Sequence, residues 1–340
     1  MFFKYLRIIV FISLLDSCLA FSQVADVDSI LYKSIINQNK INYTGVIKRE
    51  IFHNDSCFTI KQRIFFRAPD RMWSEILIPA KMKGAVIVRI GKKIFFKSHR
   101  SKIFRLRESS RGREPANEFY IHKKWFNLLK NNYRFVPSEI VEIAGRWCYP
   151  VIVKSVHPER PWIKAWFDKD NSFLLKFEKY NSENKVIYRS SYEEINFNST
   201  IDENIFKIKY KRDKKRRRGP FKIFSSYESL NEKTRKELIK VNYIPPGFIL
   251  DRIIVTEWKG EKFYHIIYTD GLNTLSLFQR EINKKNGRIR SSDRRKFRKR
   301  TEERRGSSYI VRGKKGKYFI SIIGELSLKE INKIFRSIEI

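Results

Sequence analysis

From residue 42 onward the apolar side chains of this chain recur at every second position, in short runs that end in turn formers. Alternation of period two presents one face of each run to a core and the other to solvent, which confines most of the chain to antiparallel sheet. Residues 42–52, 58–66, 71–77, 85–90 and 93–97 read as strands, rich in β-branched and aromatic residues and separated by Asn54-Asp55, Ala68-Pro69-Asp70 and Gly91. Strands resume at 133–136, 139–143, 148–156, 162–167, 173–180 and 186–197, with turns at Asp168-Lys169-Asp170-Asn171 and Asn181-Ser182-Glu183-Asn184. Two helices accompany them: residues 24–39 place Val27, Ile30, Leu31 and Ile35 on one face, and residues 121–129 bring Trp125, Leu128 and Leu129 near one face. Roughly ten successive strands need a barrel, a half-barrel or a sandwich to bury their apolar side.

The pattern then breaks and restarts. Residues 211–218 hold seven basic residues and one acid, Gly219-Pro220 follows, and 211–228 reads as a basic linker. A helix at 231–240 gives way to Pro245-Pro246-Gly247, and strands follow at 248–258, 262–268, 272–278, 308–312 and 318–323. The last helix opens with Ser327-x-x-Glu330, a capping box, and presents Leu328, Ile331, Ile334, Phe335 and Ile338 to the sheet. Residues 284–305 carry twelve basic and three acidic residues with no apolar period, which reads as a loop inserted between strands. The fold class is mainly β, of the α+β kind, in two units.

Charge sets the next constraint. The 340 residues include 72 Lys or Arg and 36 Asp or Glu, a formal charge of +36. The two basic stretches supply +6 and +9 of it, and density of that kind attracts anionic surfaces, although AT-rich codons also supply lysine to solvated faces. Arg216, Arg217, Arg218, Arg294, Arg295, Lys296, Arg298, Lys299 and Arg300 are the anion-binding candidates. Nucleic acid is disfavoured as the anion, because only Phe297 offers a ring for base stacking in the second stretch. The amino terminus points outward as well. Lys4 and Arg7 precede an apolar run at 8–15, and Cys18-Leu19-Ala20 offers small residues for cleavage, so 1–20 reads as an export signal. The run is shorter than the ~20 residues that span a bilayer. A second reading makes Cys18 a lipid-modified terminus, with Asp16 a poor fit to a lipobox.

Residues with chemistry to offer are scattered. His53, His99, His122, His157 and His265 share no ligand spacing, no glycine-rich phosphate loop joins a strand to a helix, and Ser276 lacks the glycines of a nucleophile elbow. The expectation is a protein without cofactor, metal or catalytic residues. Cys57 and Cys148 have no Cys-x-x-Cys partner; in an oxidising compartment they could bridge, or remain separate. The apolar faces are more informative: Phe58, Ile60 and Phe66 share one side of their strand, Trp162 and Trp166 one side of another, and Leu175 and Phe177 one side of a third. A sheet that curls without closing would make them an aromatic-lined trough for an acyl chain or a partner segment.

At this point the residues resemble a known family. The opening Asn42-Tyr43-Thr44-Gly45, the Ala144-Gly145-Arg146 turn, and Lys164-Ala165-Trp166-Phe167-Asp168-Lys169 running into Phe173-Leu174-Leu175-Lys176 are similar to the half-barrel of the LolA and LolB group and its RseB and MucB branch. Ile244-Pro245-Pro246-Gly247-Phe248, Tyr268-Thr269-Asp270-Gly271-Leu272 and Ile323-Gly324-Glu325-Leu326 resemble the second domain of that branch. The resemblance implies a LolA-like antiparallel half-barrel with helices over 21–210, the linker at 211–228, and a smaller α+β domain with an antiparallel sheet over 229–340 that carries the basic insertion at 284–305. It implies a periplasmic, non-enzymatic regulator that binds the periplasmic part of a membrane-spanning anti-sigma factor and responds to lipopolysaccharide or another acylated ligand. Tyr43, Gly45, Gly145, Trp166, Asp168, Asp270, Gly271, Gly324 and Glu325 would then carry the fold. A plain carrier of acylated molecules is the alternative, and an exported polyanion binder a further one.

Overall fold

The computed structural model describes residues 26–53, 56–108, 123–212, 221–258, 260–282, 300–305 and 308–340. Residues 1–20, read above as an export signal, lie outside them, as do residues 213–220 and 283–299 of the basic stretches. No helix among the described residues is long and apolar enough to cross a membrane.

The first unit is a thirteen-stranded sheet. Helix α1 (Val27–Asn37) leads into a meander of β1 (Tyr43–His53), β2 (Ser56–Arg67), β3 (Arg71–Ile78), β4 (Val86–Ile90), β5 (Lys93–Lys97) and β6 (Phe104–Glu108). Helix α2 (Phe126–Asn132) precedes a second meander of β7 (Tyr133–Pro137), β8 (Val141–Ile143), β9 (Arg146–Ser155), β10 (Trp162–Asp168), β11 (Leu174–Tyr180) and β12 (Val186–Asn196). β12 pairs antiparallel with β1 and joins the two meanders. The order runs β13-β6-β5-β4-β3-β2-β1-β12-β11-β10-β9-β7, an open path, with β8 paired to β9 alone. Two strands escaped the sequence. β6 is masked by basic residues alternating with Phe104 and Leu106, and β13 (Tyr210–Arg212) lies parallel to it, a pairing of distant segments that no local period encodes.

Each face of this sheet has its own cover. Val151, Val153, Ile163, Ala165, Phe167 and Phe177 pack with Ile30 and Leu31 of α1 and Leu129 of α2, which defines the helix-bearing face. Across the other half, Val86, Val88, Phe95, Phe104 and Leu106 on the opposite face are covered by Phe206 with Ile201, Ile205 and Ile208. Tyr43, Ile47, Ile64, Phe66, Cys148, Trp166, Phe173, Leu175 and Tyr192 form a third cluster, with Tyr43 stacked on Phe66 at 5.2 Å.

The second unit is a seven-stranded sheet of order β14-β16-β17-β18-β21-β20-β19. Its strands are β14 (Phe221–Phe224), β16 (Ile249–Trp258), β17 (Glu261–Thr269), β18 (Thr274–Glu281), β19 (Thr301–Arg305), β20 (Ser308–Lys315) and β21 (Tyr318–Gly324). The short strands β15 (Lys240–Val241) and β22 (Ile338–Glu339) pair with each other. Helices α3 (Glu232–Glu237) and α4 (Leu328–Arg336) complete it, and Ile331, Ile334 and Phe335 of α4 are buried against Ile253, Ile266, Leu277, Ile320 and Ile322. The capping box is half as expected. Ser327 Oγ accepts from the Glu330 N–H at 3.3 Å, but the Glu330 carboxylate accepts from the Tyr243 hydroxyl at 2.7 Å instead of reaching back.

Both basic stretches are shorter as loops than their composition suggests. β14 pairs with β16, the Tyr227 and Tyr268 hydroxyls meet at 2.7 Å, and Leu230 is buried, so residues 221–230 belong to the second unit. Likewise residues 301–305, inside the expected insertion, form the edge strand β19 against β20. Strand pairing outweighs local charge density in each case, aided in 221–230 by the burial of Leu230.

Candidate binding face and interdomain clasp

Directly opposed residues of neighbouring strands share a face, so the registers sort the trough candidates. Phe66 opposes Tyr43, and Ile60 and Phe58, an even number of residues away, share its side of β2. Arg49 of β1 opposes Ser190, Ser190 opposes Phe177, and Phe177 opposes Ala165. Phe58, Ile60, Phe66 and Phe177 therefore belong to the helix-bearing face. Trp162 and Trp166 alternate with Ile163, Ala165 and Phe167 and stand on the other side. By strand register the candidates divide between the two sides of the sheet, a parity that composition could not reveal between strands, while Phe66, Trp166 and Leu175 meet in one buried cluster. Trp162 stacks on Tyr180 at 3.9 Å and donates to Asn184, while Trp166 lies beneath the Lys164 and Lys176 ammonium groups at 5.2 and 4.4 Å. Leu175 sits beside a register shift, buried with Phe173, and Phe58 is half exposed near the hairpin tip.

The helix-bearing face continues over β3 to β5, where no candidate residue had been singled out. Phe66, Met72, Arg89 and Ile94 form one row across β2 to β5, and Ile64, Ser74, Ile87 and Phe96 form the next. Met72, Ile87, Ile94 and Phe96 are each only half buried. Polar groups are threaded through this strip. Arg49 donates to Gln62 Oε1, and Gln62 Nε2 donates to Ser74 Oγ at 3.0 Å. Arg89 Nε is buried with no hydrogen-bond partner, and burial lowers the pKa of its guanidinium, against the opposing pull of Tyr43 and Asp70.

A second construction joins the two units. Asp270 is wholly buried in the turn between β17 and β18, and its carboxylate accepts five hydrogen bonds, the longest from Asn273 Nδ2 to Oδ2 at 3.5 Å. Oδ1 takes the N–H groups of Leu272 and Asn273 at 3.0 and 2.7 Å. Oδ2 takes the Tyr133 hydroxyl at 2.7 Å and Arg160 Nη1 at 3.1 Å, both from the first unit. Burial and the neighbouring Asp270 together push the Tyr133 phenol well above its ordinary pKa. Asn132 Nδ2 donates to the carbonyls of Leu128, Gly247 and Asp270, which leaves its Oδ1 to accept from His157 Nε2 at 2.9 Å and fixes the proton of that imidazole on Nε2. Glycines let the chains approach this closely. A Cβ on Gly271, whose φ is +98°, would lie 2.7 Å from the Leu129 nitrogen, and one on Gly247, at φ +83°, would lie 2.2 Å from Asn132 Oδ1. Lys179 reaches Asn273 and Glu325, and Ser327 donates to Glu159 at 3.1 Å. Asp270, Gly271 and Glu325 thus carry interdomain contacts; Arg160, Tyr133, Asn132 and His157 had no motif to mark them.

The other singled-out residues have local roles. Asp168 accepts from Arg146 and from the N–H groups of Asp170 and Asn171, closing its turn as Asp270 closes its own. Gly45 lies where a Cβ would strike the Glu194 carbonyl at 2.6 Å, Gly324 abuts Leu275, and Gly145 takes a positive φ in its turn. Cys57 and Cys148 are free, one exposed on β2 and one buried on β9, so no bridge joins them. Burial pushes the Cys148 thiol up to about 12. Of the anion-binding candidates, Arg216, Arg217, Arg218, Arg294, Arg295, Lys296, Arg298 and Lys299 lie outside the described residues. Arg300 is engaged within the fold: it binds Glu302 and Asn332 and covers the Phe335 ring. Among the described residues no group of three or more His, Cys, Asp or Glu could hold a metal ion.

Residues 83–210 match the MucB/RseB N-terminal domain. No curated protein matches the chain. Among solved structures, a complex of MucA and MucB from Pseudomonas aeruginosa shares 15% identity at a TM-score of 0.63, covering 93% of this chain and 99% of that one. MucB in complex with MucA(peri) gives 15% identity and 0.62 over 92% and 98%, and MucB by itself gives 14% and 0.53 over 93% and 98%. The MucB fold therefore extends beyond the matched domain, across the clasp and through the second sheet.

Proposed function

We propose that the chain is a periplasmic, non-enzymatic regulator that binds the periplasmic part of a membrane-bound anti-sigma factor and responds to a lipid or lipoprotein signal. The carrying observation is that the MucB fold, solved in complex with MucA, extends over both units of this chain. A carrier of acylated molecules would need only the first unit, whereas here a buried polar clasp holds the second unit against it, which suits a partner that touches both. The unit boundary falls between 212 and 221 on this reading. The lipid half of the proposal rests on the half-buried strip of Met72, Ile87, Ile94 and Phe96. Affinity capture from an envelope extract, with mass spectrometry of the proteins and lipids retained, tests both halves. Co-purification of a single-pass membrane protein with a sigma-binding cytoplasmic part is the expected result; retention of lipid alone would favour the carrier, and of neither would reject both.

A further inference from the structure

We infer that Arg89 is the head-group site of the strip, so that the ligand is an anionic amphiphile whose charged end meets the Arg89 guanidinium while its chain lies over Met72, Ile87, Ile94 and Phe96. This inference rests on the lipid half of the proposed function and adds the chemical class that the strip selects.

The placement carries it. Arg89 opposes Met72 on one side and Ile94 on the other, and Ile87 precedes it on the same face of β4, so its immediate surroundings on that face are apolar. A cation there needs an acceptor, because a buried guanidinium N–H without one costs stability that the fold recovers only when an acceptor arrives. Arg89 makes no ion pair among the described residues, and its Nε is buried without a partner. The groups that act on it are few. Tyr43 is itself wholly buried and its hydroxyl meets that of Tyr192, while Asp70 sits exposed in the turn between β2 and β3. Arg49, by contrast, has found Gln62. The strip thus offers an apolar surface about 14 Å across, taken as three interstrand spacings from β2 to β5, with one cation set into it. A planar, permanently charged fork fits a carboxylate or a phosphate equally well, so a fatty acid and a phosphorylated lipid share the chemistry.

Calorimetric titration of the full chain with laurate, dodecyl phosphate and dodecanol separates the possibilities, since the three share one chain length and differ in the head. Added salt of about 0.5 M suppresses adsorption to the exposed basic surface. The native protein should bind at least one of the two anions ten times or more tightly than dodecanol, and the preferred anion distinguishes the fatty acid from the phospholipid source. Arg89→Met should lose that preference while binding dodecanol unchanged, and Arg89→Lys should keep part of it, with melting curves confirming that each variant folds. Equal affinity of the native protein for all three would overturn the inference and leave the apolar strip intact, as would a preference that survives in Arg89→Met. If none of the three binds, the lipid half of the proposed function fails, and this inference with it. Should Arg89→Met fail to fold, the native preference and the Arg89→Lys response decide.

Discussion

At the level of single residues, the clasp is a case where charge is buried because it is answered. Asp270 accepts three hydrogen bonds within its own turn and two across the interface, so the carboxylate is as well satisfied as it would be in water. Removing one partner is then far worse than never having had the pair. Arg160→Leu should destabilise the chain by about 3–5 kcal/mol, read from denaturant unfolding, because it strands a buried carboxylate. A loss below about 1 kcal/mol would mean that the Arg160 contact is dispensable. The thiols make a second, independent test of burial. Cys57 should react promptly with iodoacetamide in the native protein, and Cys148, buried and held up at about 12, only after unfolding, as read by peptide mapping. Equal native labelling of both would contradict the packing of β9.

Among the elements, strand existence was largely written in the alternation, and face assignment between strands was not. The run 162–167 announced a strand, and its two tryptophans looked like lining; only the opposition of Ala165 to Phe177 shows that they point away from the helices. Period two fixes which residues of one strand share a side, but the register that ties sides together comes from contacts far apart in sequence. The same limit hid β13, paired to β6 across a hundred residues, and the clasp, whose members come from four separate turns and helix ends. By contrast, α4 was legible in all but the return half of its capping box, since cap, period and amphipathic face all lie within a dozen residues. A prediction follows for the strip. Phe96→Ala should weaken binding of an acylated ligand by fivefold or more, whereas Trp166→Phe should leave it within twofold, measured by calorimetry. The reverse order would place the ligand on the outer face.

For the whole molecule, the clasp makes two sheets one body, and His157 makes that union sensitive to acid. Burial lowers its pKa first and Arg160 next, with Asp270 opposing, so the closed interface favours the neutral ring. The sign follows from linkage: the unfolded chain takes up the proton more readily, so stability falls as pH drops below about 6.5 and levels off once the lowered native value is passed. The native melting temperature should therefore fall between about pH 7 and pH 5 by more than that of His157→Gln, whose amide can still donate to Asn132. Identical pH profiles would remove His157 from the account. Such a body is what a partner spanning both units requires, and the central claim is that this chain holds one. Isothermal titration of the purified full chain with the soluble periplasmic segment of a membrane-bound anti-sigma factor from the same cell tests it most directly. The account predicts saturable binding by the native chain and at least tenfold weaker binding by folded Arg160→Leu, in which the clasp is broken; a folded native chain that gives no binding heat and no co-elution with the segment would contradict it.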